Sequence, residues 1–342
     1  MVSLEQIRHS NSQISTALPP GLVAVFAGAT NGIGESSLRQ FVKHAVRPRI
    51  YFLGRSKMSG DRVCADLQKL NPEGEYTFTS VDISLLISVD EFCREIKAKE
   101  SAINLLFLST GTMITGKDTA EGLHHPLAVA YYARLRFIVN LLPLLQNATG
   151  LRRVVTVLAG TKEGPIYTDD FQCRQHRILS PGGRGHLSSM TTLALEAVAR
   201  NAPGVSFIHS FPGFVRTNLG NDLEGLGAMV MRGVFNVVVA VVGPFVATPL
   251  EEAGERHVFL ATSAMFSSRG STSGVPLPEG LKVGRGTDGM RSSGVYSTSK
   301  EAESASRKTE RLLEGMRKDG TAESVWSHVE EEFVRITGVA SI

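Results

Sequence analysis

Cysteine is scarce: Cys64, Cys93 and Cys173 are the only three in 342 residues, and they show neither pairing logic nor the close spacing of metal ligands. This excludes a disulfide scaffold, gives no metal site, and suits a reducing cytoplasm, the compartment expected for the chain. The first fifteen residues are polar and hold no apolar signal core, so secretion is not expected. Charge of one sign is also lacking. With 36 Lys and Arg against 33 Asp and Glu the net charge is +3, and no basic-aromatic patch accompanies it, so nucleic acid is not an expected partner. Long apolar runs are missing as well. The most unusual one, residues 233–247, is interrupted by Pro244 and falls short of the ~20 residues a bilayer crossing needs. It reads as a buried or cleft-covering helix, with a helix dipping into a membrane face as the alternative.

What the chain does have is regular alternation of strand-like and helix-like segments. Residues 22–27 have the length and β-branched content of a buried parallel strand. Residues 35–44 fit a helix, with Leu38, Phe41 and Val42 on one stripe. Between them lies Gly28-Ala29-Thr30-Asn31-Gly32-Ile33-Gly34. Glycines there let the backbone approach a pyrophosphate, and the amides and dipole of the following helix receive its charge. Further strands are expected at 49–55, 76–81, 104–108 and 153–157. The first of these ends at Arg55-Ser56-Lys57, where an acidic residue would bind the ribose 2′-hydroxyl of NAD; a guanidinium suits the 2′-phosphate of NADP(H) instead. The plainer alternative is a solvated basic loop.

This pattern predicts an α/β fold, a doubly wound parallel sheet of the Rossmann type in one domain. Residues 1–19 form an N-terminal extension and 20–211 the nucleotide-binding core. Residues 212–342 form the substrate lobe, with the last strand near 294–296, closing helices at 309–318 and 322–336, and a flexible surface loop at 267–293.

In this order the motifs resemble the short-chain dehydrogenase/reductase superfamily, over roughly residues 20–340. The family pattern is Thr-Gly-x-x-x-Gly-x-Gly, then an Asp after the third strand that contacts adenine, an Asn-rich turn ending in Gly after the fourth, and a Pro-Gly turn after the sixth. This chain supplies Gly28, Gly32, Gly34, Asp82, Gly111 and Pro212-Gly213, with Ala27 in place of the Thr and Ser109-Thr110 in place of the Asn-rich turn. Three stretches further resemble retinol-dehydrogenase-like members and divergent fungal members found in secondary-metabolite pathways. They are Ala130-Tyr131-Tyr132-Ala133-Arg134 leading to Pro143, Ser189-Met190-Thr191-Thr192-Leu193, and Ser324-Val325-Trp326-Ser327.

The resemblance implies NADP(H) as cofactor, held by Gly28, Thr30, Asn31, Gly32, Ile33, Gly34, Arg55, Ser56, Asp82, Ile83, Gly111, Pro212, Gly213, Val215 and Thr217. It implies hydride exchange with a small carbonyl or alcohol substrate, and homodimers through the helices after the fourth and fifth strands. The family's catalytic residues do not carry over. Its Ser falls at or next to Ala159, its Tyr at His186, its Lys at Met190 and its Asn near Ala130.

His186 is the leading replacement, since imidazole exchanges protons near neutrality; a structural helix-start His is the alternative. Tyr131 or Tyr132 would bring a phenol to the cleft, or else pack in the core. Tyr296-Ser297-Thr298-Ser299-Lys300 matches Tyr-x-x-x-Lys, but it follows the Pro-Gly turn, on the wrong side of the sixth strand. Three functions follow from these readings: an NADP(H) oxidoreductase with a rebuilt proton-transfer site, a non-redox isomerase, cyclase or dehydratase using His186, or a binding protein without catalysis.

Overall fold

The structure, a computed structural model, describes residues 1–176, 178, 180–217 and 247–342. The apolar run at 233–247 lies, up to residue 246, outside the described residues. Seven strands build one sheet: β1 (Val23–Ala27), β2 (Arg49–Gly54), β3 (Glu75–Ser80), β4 (Leu105–Leu108), β5 (Arg153–Val157), β6 (Ser206–Ser210) and β7 (Val295–Thr298). Every neighbouring pair is parallel, and the order is β3-β2-β1-β4-β5-β6-β7. The direction of winding reverses between β1 and β4, which opens a crevice at their carboxyl ends. β1, β4, β5 and β6 are buried along their whole length, as strands covered on both faces must be.

Helices α1 (Leu4–Ser12), α2 (Ile14–Ala17), α3 (Gly32–His44), α4 (Lys57–Leu70) and α5 (Leu86–Lys99) precede β4 or flank it. The polar N-terminus is tied down: Ser3 and Gln6 form a reciprocal cap on α1, and Asn11 donates to Glu255 Oε2 at 2.6 Å. Glu255 belongs to α8 (Leu250–Thr262), which packs on both α1 and α3.

One continuous helix, α6 (His125–Asn147), is long and apolar enough to span a bilayer, yet most of its surface is buried in the protein, which makes it a core helix. A π-helical turn interrupts it at Ala128–Tyr132. α7 (Pro181–Arg200) opens with Ser180 accepting from Gly183 N–H and with Pro181 in the first turn. The last helices, α9 (Arg307–Lys318) and α10 (Thr321–Thr337), close the fold, with α10 lying against α7 and α5. Beyond α10 the chain is held by buried Arg136, which donates to the carbonyls of Val339 and Ala340 while its other edge pairs with Asp90.

Residues 267–293 form neither helix nor strand, but the loop does not lie loosely on the surface as expected. Val275 and Thr287 are buried, and short bridges join Ser263 to Val275 and Arg285 to Arg291.

Candidate functional site

The glycine turn is shaped by contacts that leave no room for side chains. Gly28 has φ +83°, and a Cβ there would stand 2.9 Å from the Thr110 nitrogen, so β1 and the end of β4 approach backbone to backbone. A Cβ on Gly34 would overlap the Gly28 carbonyl oxygen and Ser109 Oγ. Ser109 takes up part of the work of the missing Asn-rich turn: its hydroxyl lies 3.2 Å from both the Ala27 and the Gly28 carbonyl. Thr217 places its side chain 3.3 Å from the Cβ position of Gly32, which brings the segment after β6 over the turn. Outside it, Arg62 donates to the Thr30 carbonyl at 3.1 Å and pairs with Glu35 at 2.7 Å. Burial alone would raise the Glu35 pKa, but hydrogen bonds from Arg62 and Arg39 outweigh it and hold the carboxyl below its ordinary value.

At the carboxyl ends of β1, β2, β3 and β4 lies a cavity of about 230 Å³. Gly28, Thr30, Asn31, Arg55, Asp82, Ile83 and Gly111 line it, seven positions from four segments that the sequence pattern had singled out. Asp82 is fixed by accepting from Ser84 N–H at 3.0 Å. The other expected contacts stand elsewhere. Gly32, Ile33 and Gly34 form the first turn of α3, and Ser56 caps α4 by accepting from Ser59 N–H. Pro212, Gly213, Val215 and Thr217 lie outside the cavity wall: Gly213, at φ +75°, packs on the Lys300 side chain, and Val215 bridges to Thr248.

Other wall residues were not foreseen, among them Ser84, Thr112, Val129 and His125. The Nδ1 of His125 is buried without a hydrogen-bond partner among the described residues, and burial, then nearby Lys117, lowers its pKa. The only sequence signal for it was a His-Pro pair at the start of an apolar helix.

At the other end of the crevice, the residues expected to replace the family's catalytic groups are buried and engaged within the protein. His186 is wholly buried, its Nδ1 accepting from Tyr167 N–H at 3.0 Å and its Nε2 facing the Phe171 carbonyl at 3.4 Å. Burial also lowers its pKa. With both nitrogens on main-chain groups of the loop after β5, His186 holds that loop onto α7 and has no nitrogen left to exchange a proton with a substrate. The expectation for His186 is therefore corrected to a structural role.

Tyr131 and Tyr132 are likewise core residues. The Tyr132 hydroxyl meets His328 Nε2 at 2.6 Å, and the Tyr131 hydroxyl is buried with no partner among the described residues, its pKa pushed up by burial. Met190 is buried too. Tyr296 sits inside β7 with its hydroxyl on the Ser267 carbonyl at 2.6 Å, which removes the Tyr296 to Lys300 string from catalysis.

A parallel sheet with a glycine turn, a basic residue just past β2 and an acidic one after β3 is the architecture shared by dinucleotide-binding α/β proteins. No family model matches the chain. It is 36% identical to the oxidoreductase andH of Emericella variicolor over 99% of both chains. It is 28% identical to the short-chain dehydrogenase/reductase SAT2 of Stachybotrys chartarum over 96% of both. Among solved structures it is similar to the alcohol dehydrogenase of Thermococcus sibiricus complexed with 5-hydroxy-NADP, with a TM-score of 0.51 and 20% identity over 70% of this chain and 89% of that one. The chain belongs to the short-chain dehydrogenase/reductase superfamily.

Proposed function

We propose that this protein is an NADP(H)-dependent oxidoreductase acting on a small carbonyl or alcohol compound, with an apolar secondary metabolite as the expected kind of substrate. The observation that carries the reading is the cavity at the switch point, where Arg55, Asp82 and the glycine turn face one space. The relatives' names support the activity, and the neighbour solved with a 5-hydroxy-NADP ligand agrees with the choice of cofactor.

In this assignment the amides at the start of α3 hold the pyrophosphate. Arg55 takes the 2′-phosphate, with the planar fork that suits it. Asp82 and Ile83 border the adenine, and Pro212-Gly213 border the nicotinamide. When bound, NADPH supplies the two-electron reductant for a carbonyl carbon.

The test is a fluorescence titration of the purified protein with NADPH and NADH. NADPH is expected to bind at least ~10-fold more tightly, about 1.4 kcal/mol, and Arg55→Ala to erase that preference. Absence of NADPH binding would sink the proposal. Binding followed by no oxidation of NADPH across a panel of apolar ketones and aldehydes would instead make the chain a nucleotide-binding protein.

A further inference from the structure

The turn that follows β5 is anchored at almost every residue. Ala159 N–H donates to His209 Nε2 at 3.1 Å, and its carbonyl accepts from Ser188 Oγ at 2.5 Å. Gly160 has no space for a side chain, because a Cβ would overlap the His209 carbonyl. Thr161 takes φ +66°, a left-handed conformation that a β-branched residue adopts only under constraint, and its N–H donates to Ser297 Oγ at 2.7 Å. Glu163 points into the protein, its carboxylate accepting from Ser297 Oγ at 2.6 Å and from Thr192 Oγ1 at 2.8 Å. Thr192 Oγ1 in turn meets His209 Nδ1 at 2.9 Å, and Gly164 N–H donates to Ser189 Oγ at 3.0 Å.

In this turn Lys162 faces outward, half-buried. Its Nζ stands 4.7 Å from the centre of the Phe211 ring, and Phe211 opens the Phe211-Pro212-Gly213 turn after β6. An ammonium held over an aromatic face at the carboxyl ends of β5 and β6 lies where open α/β sheets bind their ligands. The buried cluster and the strained Thr161 thereby acquire a purpose: they fix the direction of one cationic side chain. Met190 has removed the lysine that α7 would carry in the family, and Lys162 brings a cation to the same crevice from the neighbouring loop.

We propose that Lys162 is the catalytic cation of the nicotinamide end, an inference that rests on the NADP(H) reading above. In carbonyl reduction, NADPH supplies hydrogen with two electrons to the carbon and becomes NADP⁺. The Lys162 N–H bond breaks as the new O–H bond forms on the substrate oxygen, and solvent returns a proton to the amine.

Lysine acetylation with an N-hydroxysuccinimide ester, read by peptide mass spectrometry, locates the side chain without any substrate. It is run on the free protein, with NADPH, and with adenosine 2′,5′-bisphosphate, which fills only the adenosine half. At ten times its Kd, NADPH is expected to slow Lys162 acetylation about tenfold, in proportion to occupancy, and the bisphosphate to leave it unchanged. Equal acetylation of Lys162 with and without bound NADPH overturns the proposal and leaves the cofactor reading standing; failure of NADPH to bind overturns both. As a second readout, Lys162→Met is expected to slow reduction of any carbonyl compound the wild-type protein accepts by about 100-fold with the Kd for NADPH unchanged. Undiminished turnover overturns it.

Discussion

The crevice has two ends built on different principles. At β1 to β4 the ligand cradle is backbone: positive φ at Gly28, amides at the start of α3, and Gly34 pressed against the Gly28 carbonyl. At β5 and β6 the resemblance expects a cradle of side chains, and the four positions it points to read Ala130, Ala159, His186 and Met190. A cradle made of backbone tolerates substitution around it; Ser109 can replace an Asn-rich turn because one hydroxyl still ties β4 to the glycine turn. A reaction centre made of side chains has no such reserve. The part of a site that depends on chain path thus outlasts the part that depends on functional groups.

Acid gives the largest effect separating the two ends. Burial pushes the pKa of His209 down to about 3 and that of His257 to about 4, from 6.5. Between these values and 6.5 the unfolded chain binds more protons than the folded one, so stability is complete above pH 6.5 and falls as the pH drops. At pH 5 each histidine is expected to cost about 2 kcal/mol. Glu163 runs the other way, since burial raises its pKa and favours its protonated form as acid is added. Thermal melts from pH 7.5 to pH 5 should show falling Tm, with a shallower decline in His209→Gln. Because His209 anchors the turn after β5, amide exchange at residues 159–164 should rise in acid before exchange in β1 does. Simultaneous loss would break the contrast.

Gly34→Ala probes the backbone end. The added methyl overlaps Ser109 Oγ, which can rotate away, and the Gly28 carbonyl oxygen, which cannot retreat without moving the strand end. Overpacking of this kind costs about 1–3 kcal/mol, and NADPH affinity should fall with the displaced turn by ~10-fold or more. Calorimetry and the fluorescence titration measure the two losses. A variant that kept both would show that the turn is softer than its contacts imply.

The two ends also differed in how far they were legible in the sequence. β5 stands where its apolar run placed it, and the last strand formed around Val295 and Tyr296, because buried parallel strands write themselves as short β-branched runs. α7 begins six residues before Leu187, the first of its aliphatic side chains. Its opening Pro181-Gly182-Gly183-Arg184-Gly185 carries no periodic signal and is helical because Ser180 caps it and Gly185 lies flush against Gly164. At the adenosine end, the motif named much of the cavity wall. At the other end, residue type suggested a catalytic His186, whereas the deciding facts were its partners, Tyr167 N–H and the Phe171 carbonyl, contributed by a loop with no pattern of its own.

The smallest effect tests whether the adenosine end has any side-chain chemistry beyond Arg55 and Asp82. His125 lines the cavity, and a lowered pKa keeps its ring neutral, so the ring has one lone pair and one proton with which to meet a ligand that reaches it. If it accepts from the exocyclic amine of adenine, the hypoxanthine analogue of NADPH, which carries an oxygen there, should bind more weakly by one hydrogen bond, about 0.5–1.5 kcal/mol or two- to tenfold. His125→Leu should then bind the two nucleotides alike, losing affinity for NADPH and not for the analogue. An unchanged preference in the variant would remove His125 from base recognition and leave the adenosine end as backbone, one guanidinium and one carboxylate. Equal loss for both nucleotides would mean that His125 serves the shape of the cavity, and the division between a backbone end and a side-chain end would be sharper still.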